Sequence, residues 1–236
     1  VRVGALVLVL LAAAATAAAA AEWAVPKGLV GLLTPEPEPD GITACAPAGA
    51  GLALVLRAAP DRESASIGRV AFTAGGHQPQ ECGLAMPVFT PEADKVGREL
   101  PSLESSYEEP ALLVLEQRGD WLRIDIGDGS GWLQRPPTLR FDAYPKLLAE
   151  RLAYATPAWS GEICPAPGRE CRKIEPAQEQ SLRVLGVKKL DGQDWIEVEL
   201  TSDPCRDVEE RVLARGWIRA HAADGRPAAW FHSRGC

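Results

Sequence analysis

Basic clusters are missing from this chain, histidine is scarce, and after the first two dozen residues no apolar run approaches the ~18 residues of a membrane span. Each shortage removes a class of function. Phosphate recognition needs a basic footprint, so nucleic acid is not an expected partner of a chain whose formal net charge is −7. Polybasic attachment to an anionic membrane fails on the same ground. Only His77, His221 and His232 are present as imidazole bases, and no G-x-S-x-G places a serine beside one of them. Phosphate loops, dinucleotide fingerprints and EF-hand patterns are also lacking. The stretch "DIGDGSG" at 125–131 does not have the alternating acidic ligands of a calcium loop.

What is present begins with a leader. Arg2, an apolar run from Ala5 to Leu11 and small residues around Ala19 to Ala21 match the charged, apolar and cleavage regions of a secretory signal peptide, expected over 1–21. An uncleaved N-terminal anchor is the other reading of the same residues. An initial Val, as from a GTG start, and the absence of asparagine suit a bacterial gene of GC-rich codons. The expected location is the periplasm or the cell exterior, with no membrane span in the mature form. Six cysteines fit such an oxidising compartment. Sequential pairing is the preferred arrangement: Cys45 with Cys82, Cys164 with Cys171 around "CPAPGREC", and Cys205 with the terminal Cys236.

The chain also repeats itself. "GDWLRIDI" at 119–126 followed by "GWL" at 131–133 is matched by "QDWIEVEL" at 193–200 followed by "GWI" at 216–218. Read as strands, these send Leu122, Ile124 and Ile126, or Ile196, Val198 and Leu200, to a core face. Trp121 and Trp195 fall on the opposite face among charged residues. Each hairpin follows a β-rich run, "ALLVLEQR" at 111–118 and "LRVLGVKK" at 182–189, so both regions read as antiparallel meanders. "GDGSG" at 127–131 reads as a tight turn with positive φ at Asp128-Gly129 and Gly131, and 201–216 as a long insertion. Upstream, "LAMPVFTPEADKVGREL" (84–100) and "RLAYATPAWSGEICPAPG" (151–168) each run a short strand into a proline-marked loop. A third, partial copy lies at 52–70. "FDAYPKLLAERL" (141–152) is the best helix candidate, with Pro145 suited to a first helical position.

An opening strand, a polar loop, a return strand, D-W-[LI]-x-[IV] and a closing G-W-[LI] together resemble the bacterial SH3-like (SH3b) domain. The resemblance covers roughly residues 84–135 and 151–220. It implies a mainly β fold with two small SH3-like β-barrels in tandem. The expected division is a leader at 1–21, an N-terminal extension at 22–50, a first domain at 51–137 with an extra partial repeat, a short helical connector at 138–150, and a second domain at 151–236. In such barrels the tryptophan after the acidic turn lines a shallow aromatic groove, the position held here by Trp121 and Trp195. A rigid aromatic face suits sugars, prolines and extended peptides; the alternative is that both indoles merely staple their barrels. Trp132 and Trp217 are expected to pack into the cores from the closing strands.

The function implied is a non-catalytic, exported binding module without cofactor, recognising peptidoglycan fragments or an extended peptide of the envelope. Protein–protein contact or inhibition is the alternative. A metal-dependent hydrolase would need zinc at Cys205, His221, His232 and Cys236, whose spacings lack the usual short ligand pairs. A Cys82/His77 nucleophile is opposed by the even cysteine count.

Overall fold

The computed structural model describes residues 25–35, 53–72, 74–75, 83–84, 86–106, 109–149, 151–175, 177, 180–203 and 209–233. The expected leader, Cys45, His77, Cys82, Cys205 and Cys236 lie outside them, and with them two of the three expected cystine pairs. Strand dominates the described residues. The first twelve strands are β1 (Gly31–Pro35), β2 (Ala53–Arg57), β3 (Ser66–Ala71), β4 (Ala74–Gly75), β5 (Gly83–Leu84), β6 (Val88–Pro91), β7 (Arg98–Glu99), β8 (Ser102–Ser106), β9 (Glu109–Arg118), β10 (Trp121–Asp125), β11 (Ser130–Gln134) and β12 (Leu139–Ala143). The remainder are β13 (Ala153–Ala155), β14 (Glu162–Ile163), β15 (Arg172–Lys173), β16 (Ser181–Leu190), β17 (Gln193–Thr201), β18 (Val212–Arg219) and β19 (Ala229–Phe231).

Two sheets share one strand order. In the second, β18-β17-β16-β13-β19, the three-strand meander is flanked by β13, which also pairs with the last strand. In the first, β11-β10-β9-β1-β12 runs through the same sequence of roles, and β2, β3, β6 and β7 extend it beyond β11 while β8 pairs with β9. We call these five-strand sets, each with its accessory segment, the first and second units. The opening strand of the first unit is therefore β1, within the expected extension 22–50, and its last strand is β12, within the expected connector. A first domain of 51–137 leaves out both. The partial copy at 52–70 is the β2–β3 hairpin, and 84–100 supplies β6 and β7; both belong to the long segment between β1 and β9.

The helical connector is also corrected. Residues 139–143 are strand, and only Lys146–Leu148 form a single 3-10 turn. Of the expected helix at 141–152 the sheet takes residues 141–143: Leu33 and Phe141 pair across β1 and β12, and strand pairing overrides the local helical reading there.

The burial pattern explains why β1 was hard to see. Leu33 belongs to the core of the first unit with Leu112, Val114, Leu122, Ile124 and Leu133. Its neighbour Leu32 points the other way, into a second core with Ala111, Leu113, Tyr144, Leu148, Ile196, Val198 and Ile218. A strand covered on both faces carries a continuous apolar run instead of an alternating one, and "GLLTP" and "PALLV" are such runs. Leu32, Leu33 and Leu112 are fully buried, each contributing roughly 1.5–3 kcal/mol by removal from water.

Candidate functional site

The hairpin β16–β17 turns at Asp191-Gly192, whose φ angles of 50° and 78° are those of the tight turn that Asp-Gly favours. That turn fixes the β16–β17 register, with Trp195 opposite Lys188; β18 pairs along the other edge of β17 and sets Arg219 opposite Trp195. The Arg219 guanidinium lies 5.7 Å from the centre of the Trp195 ring, over its face, a cation–π arrangement. Core and outer faces alternate as expected: Ile196, Val198 and Leu200 are buried in the core, as are Leu122 and Ile124 in the first unit.

A second indole comes from the loop after β13. Thr156 anchors that loop: its backbone N–H donates to the Ala228 carbonyl at 2.9 Å and its hydroxyl to the Pro227 carbonyl at 2.6 Å. Trp159 is then held by its Nε1–H, which donates to the Glu162 carbonyl at 3.2 Å. Beyond it β14 and β15 pair, the Cys164–Cys171 disulfide closes the expected small loop, and Cys164 exchanges backbone hydrogen bonds with Trp217 at 2.8 and 2.7 Å. Such a bridge fits an oxidising compartment.

Between these parts is a cavity of about 340 Å³, lined by Trp159, Trp195, Arg219, His221, the disulfide and four alanines among others. Its volume is near the lower end of the ~300–1,000 Å³ range of small-molecule sites. Charges on the rim differ in how they are engaged. Asp224 accepts hydrogen bonds from the backbone and side chain of Arg226, which hold its carboxyl below the usual carboxylate range. His221 donates from Nε2 to the Leu29 carbonyl at 3.1 Å and packs edge-on against Tyr144. Ser160 accepts the Glu162 N–H. No hydrogen bond joins Ser160 to His221, so no serine–histidine pair is formed here.

The other singled-out residues fall elsewhere. Trp121 is half-buried, opposite Gln134 on β11. Trp195 is buried at 4% exposure, yet it belongs to neither core cluster and forms a cavity wall. Trp132 is buried for a different reason from the one expected: Leu133 points to the core, whereas Trp132 is on the outer face beneath Arg118, 5.0 Å from its ring centre. Trp217 is on the outer face too, opposite Glu197 and half-buried. His232 packs edge-on against Tyr154, apart from the contacts of His221. Among the described residues no group of three His, Cys, Asp or Glu could hold a metal, and Cys205 and Cys236 of the zinc alternative lie outside them. No helix among the described residues is long and apolar enough to cross a membrane.

Family models, curated proteins and solved structures give no match to this chain. The site thus rests on its own geometry. Trp159 and Arg219 were not singled out in the sequence. Arg219 had a usable signal, since it follows the G-W-I of the repeat, whose strand pairs antiparallel with β17. Trp159 had none, because it stands in an irregular loop.

Proposed function

We propose that this chain is a non-catalytic binding module of the bacterial envelope, built from two SH3-like units, and that its ligand site is the cavity beside Trp195. The observation that carries this reading is the pairing of two indoles, Trp159 and Trp195, with Arg219 around one cavity. Flat aromatic walls give contact area at little entropic cost. The shared strand order of the two units supports the SH3-like reading, as does the place of Trp195 at the start of β17 after a tight acidic turn. Ligands of the proposed class are cell-wall fragments or extended peptides.

The test is tryptophan fluorescence during titration with soluble peptidoglycan fragments. A saturable change is expected in the parent and in Trp121→Phe, and its loss in Trp195→Phe, provided circular dichroism shows that variant folded. A signal that vanishes with Trp121→Phe would move the site to the first unit. Silence in the parent with every fragment would end the reading.

A further inference from the structure

Across the outer face of the second sheet, cations are matched to carboxylates. Arg183 bonds Glu199 and Glu210, and Arg215 bonds Glu197. Lys188 and Arg219, which flank Trp195 on either side, break the series, and of the two Arg219 lines the cavity. Its register partner is Trp195, not an acid, and among the described residues its guanidinium has no carboxylate partner. Of the two acids that line the cavity with it, Asp224 is engaged by Arg226 and Glu162 is opposite Lys173 across β14 and β15, and Asp194 at the start of β17 faces Lys189. A guanidinium over an indole at this distance engages the ring through its charge and retains the N–H fork that matches a carboxylate in two-point contact. The apolar lining of the same cavity comes from Trp159, Trp195, Ala158, Ala222, Ala223 and Ala228.

Resting on the binding-module reading, we infer that the cavity takes a small carboxylate-bearing ligand, its acid group bound by Arg219 and an adjacent apolar group seated against Trp159 and Trp195. The first unit shows what the arrangement lacks without that charge. Gln134 occupies the place of Arg219 opposite Trp121, and its amide oxygen accepts a hydrogen bond from Arg62 at 2.9 Å. The chain itself fills the polar half of that position.

The carboxylate could come from a peptide terminus or a sugar acid, and calorimetry with the full chain separates them. The probes are N-acetyl-alanyl-alanine, its carboxamide, and glucuronic acid. The free acid should bind at least about tenfold more tightly than the carboxamide, as loss of a charge-assisted contact implies. Arg219→Gln, an exposed position, should erase that preference without changing the melting temperature. Glucuronic acid binding as well as the dipeptide would assign the carboxylate to a sugar acid; dipeptide binding alone would assign it to a peptide terminus. Equal binding of acid and carboxamide, or an unaltered preference in Arg219→Gln, would overturn the inference while leaving a binding module. Binding of wall fragments with none of the three probes would do the same. Failure of probes and fragments alike would remove both.

Discussion

In each unit the segment after the opening strand folds back across the meander's third strand and meets it at the tryptophan of the G-W pair, yet the two segments differ greatly in size. Arg57 of β2 pairs with Trp132 in the first unit, and Cys164 pairs with Trp217 in the second. The glycine before each tryptophan records the crossing. A Cβ on Gly131 would be 2.7 Å from Ile67 Cδ1, and one on Gly216 would be 2.6 Å from the Cys164 carbonyl oxygen. The contact at Gly216 is to backbone and cannot give way, whereas the one at Gly131 is to a side-chain end; positive φ in the 127–131 turn belongs to Gly127, at 86°. The lesson is that one strand order tolerates two accessory segments. The larger one reaches the rim beside Trp121 through Arg62. The smaller one, closed by a disulfide, leaves a cavity beside Trp195.

The units are also joined, and breaking that junction should give the largest effects. Leu32→Ala and Leu33→Ala alter adjacent residues of one strand that serve opposite cores. Each is expected to cost about 2–5 kcal/mol, the range for truncating a fully buried leucine. Both should lower the same calorimetric transition. If Leu32→Ala left the second unit's melting unchanged, β1 would not couple the two cores.

Removing the disulfide should separate the accessory segments. Cys164 and Cys171 are seven residues apart, and closing so short a loop is worth on the order of 2–3 kcal/mol on a chain-entropy account. The double variant Cys164→Ser/Cys171→Ser is expected to destabilise the second unit by up to that amount and to weaken ligand binding beside Trp195. Hydrogen exchange in β2 and β3, held by strand pairing instead, should be unmoved. Exchange accelerating equally in both accessory segments would show that the comparison is wrongly drawn.

Much of this was legible where periodicity is local. The two hairpins, their core faces and the Cys164–Cys171 loop follow from alternation, turn residues and short spacing. The opening strand was not legible, because burial on both faces erased the alternation of "GLLTP". The repeat itself held a clue, since a Thr-Pro pair stands at the end of each opening strand, Thr34-Pro35 closing β1 and Thr156-Pro157 just after β13. Trp132 misled because an outer-face indole can be buried by arginine stems as well as by a core. The cavity required Trp159, Trp195 and Arg219 to meet from three places in the chain. Only the last two are linked by hairpin register.

Tyr144 tests the junction at smaller scale. Its hydroxyl donates to the Ala220 carbonyl at 2.7 Å, with the Ala229 carbonyl at 3.2 Å, and its ring stacks on Trp230. Tyr144→Phe keeps the packing and leaves those carbonyls one donor short, at a cost of about 1–2 kcal/mol. Burial pushes the phenol up from its ordinary value. A group whose folded value is raised contributes stability that is full below the unfolded value, ~10 for tyrosine, and is lost as pH rises above it. The parent should therefore lose stability above about pH 10 more steeply than Tyr144→Phe. Parallel alkaline profiles would mean that Tyr144 is not protected at the junction.

The smallest effect should come from Arg62, and it bears most directly on the difference between the two rims. Arg62 and the β2–β3 turn that carries it are exposed, and its bond to Gln134 is a single contact to a neutral amide. Such a bond contributes about 0.5–1.5 kcal/mol at most. Arg62→Ala should leave the melting temperature nearly unchanged while making Trp121 more accessible to acrylamide. Comparing quenching with and without Trp121→Phe isolates that indole from the other tryptophans. If Arg62 covers the rim, the quenchable fraction assigned to Trp121 rises in Arg62→Ala and the signal from Trp195 does not. If quenching is unchanged and the melting temperature falls by several degrees, Arg62 braces the accessory sheet instead. The half-burial of Trp121 would then come from its neighbours on β9 and β11, and the two units would differ in the breadth of their sheets but not in the guarding of a site.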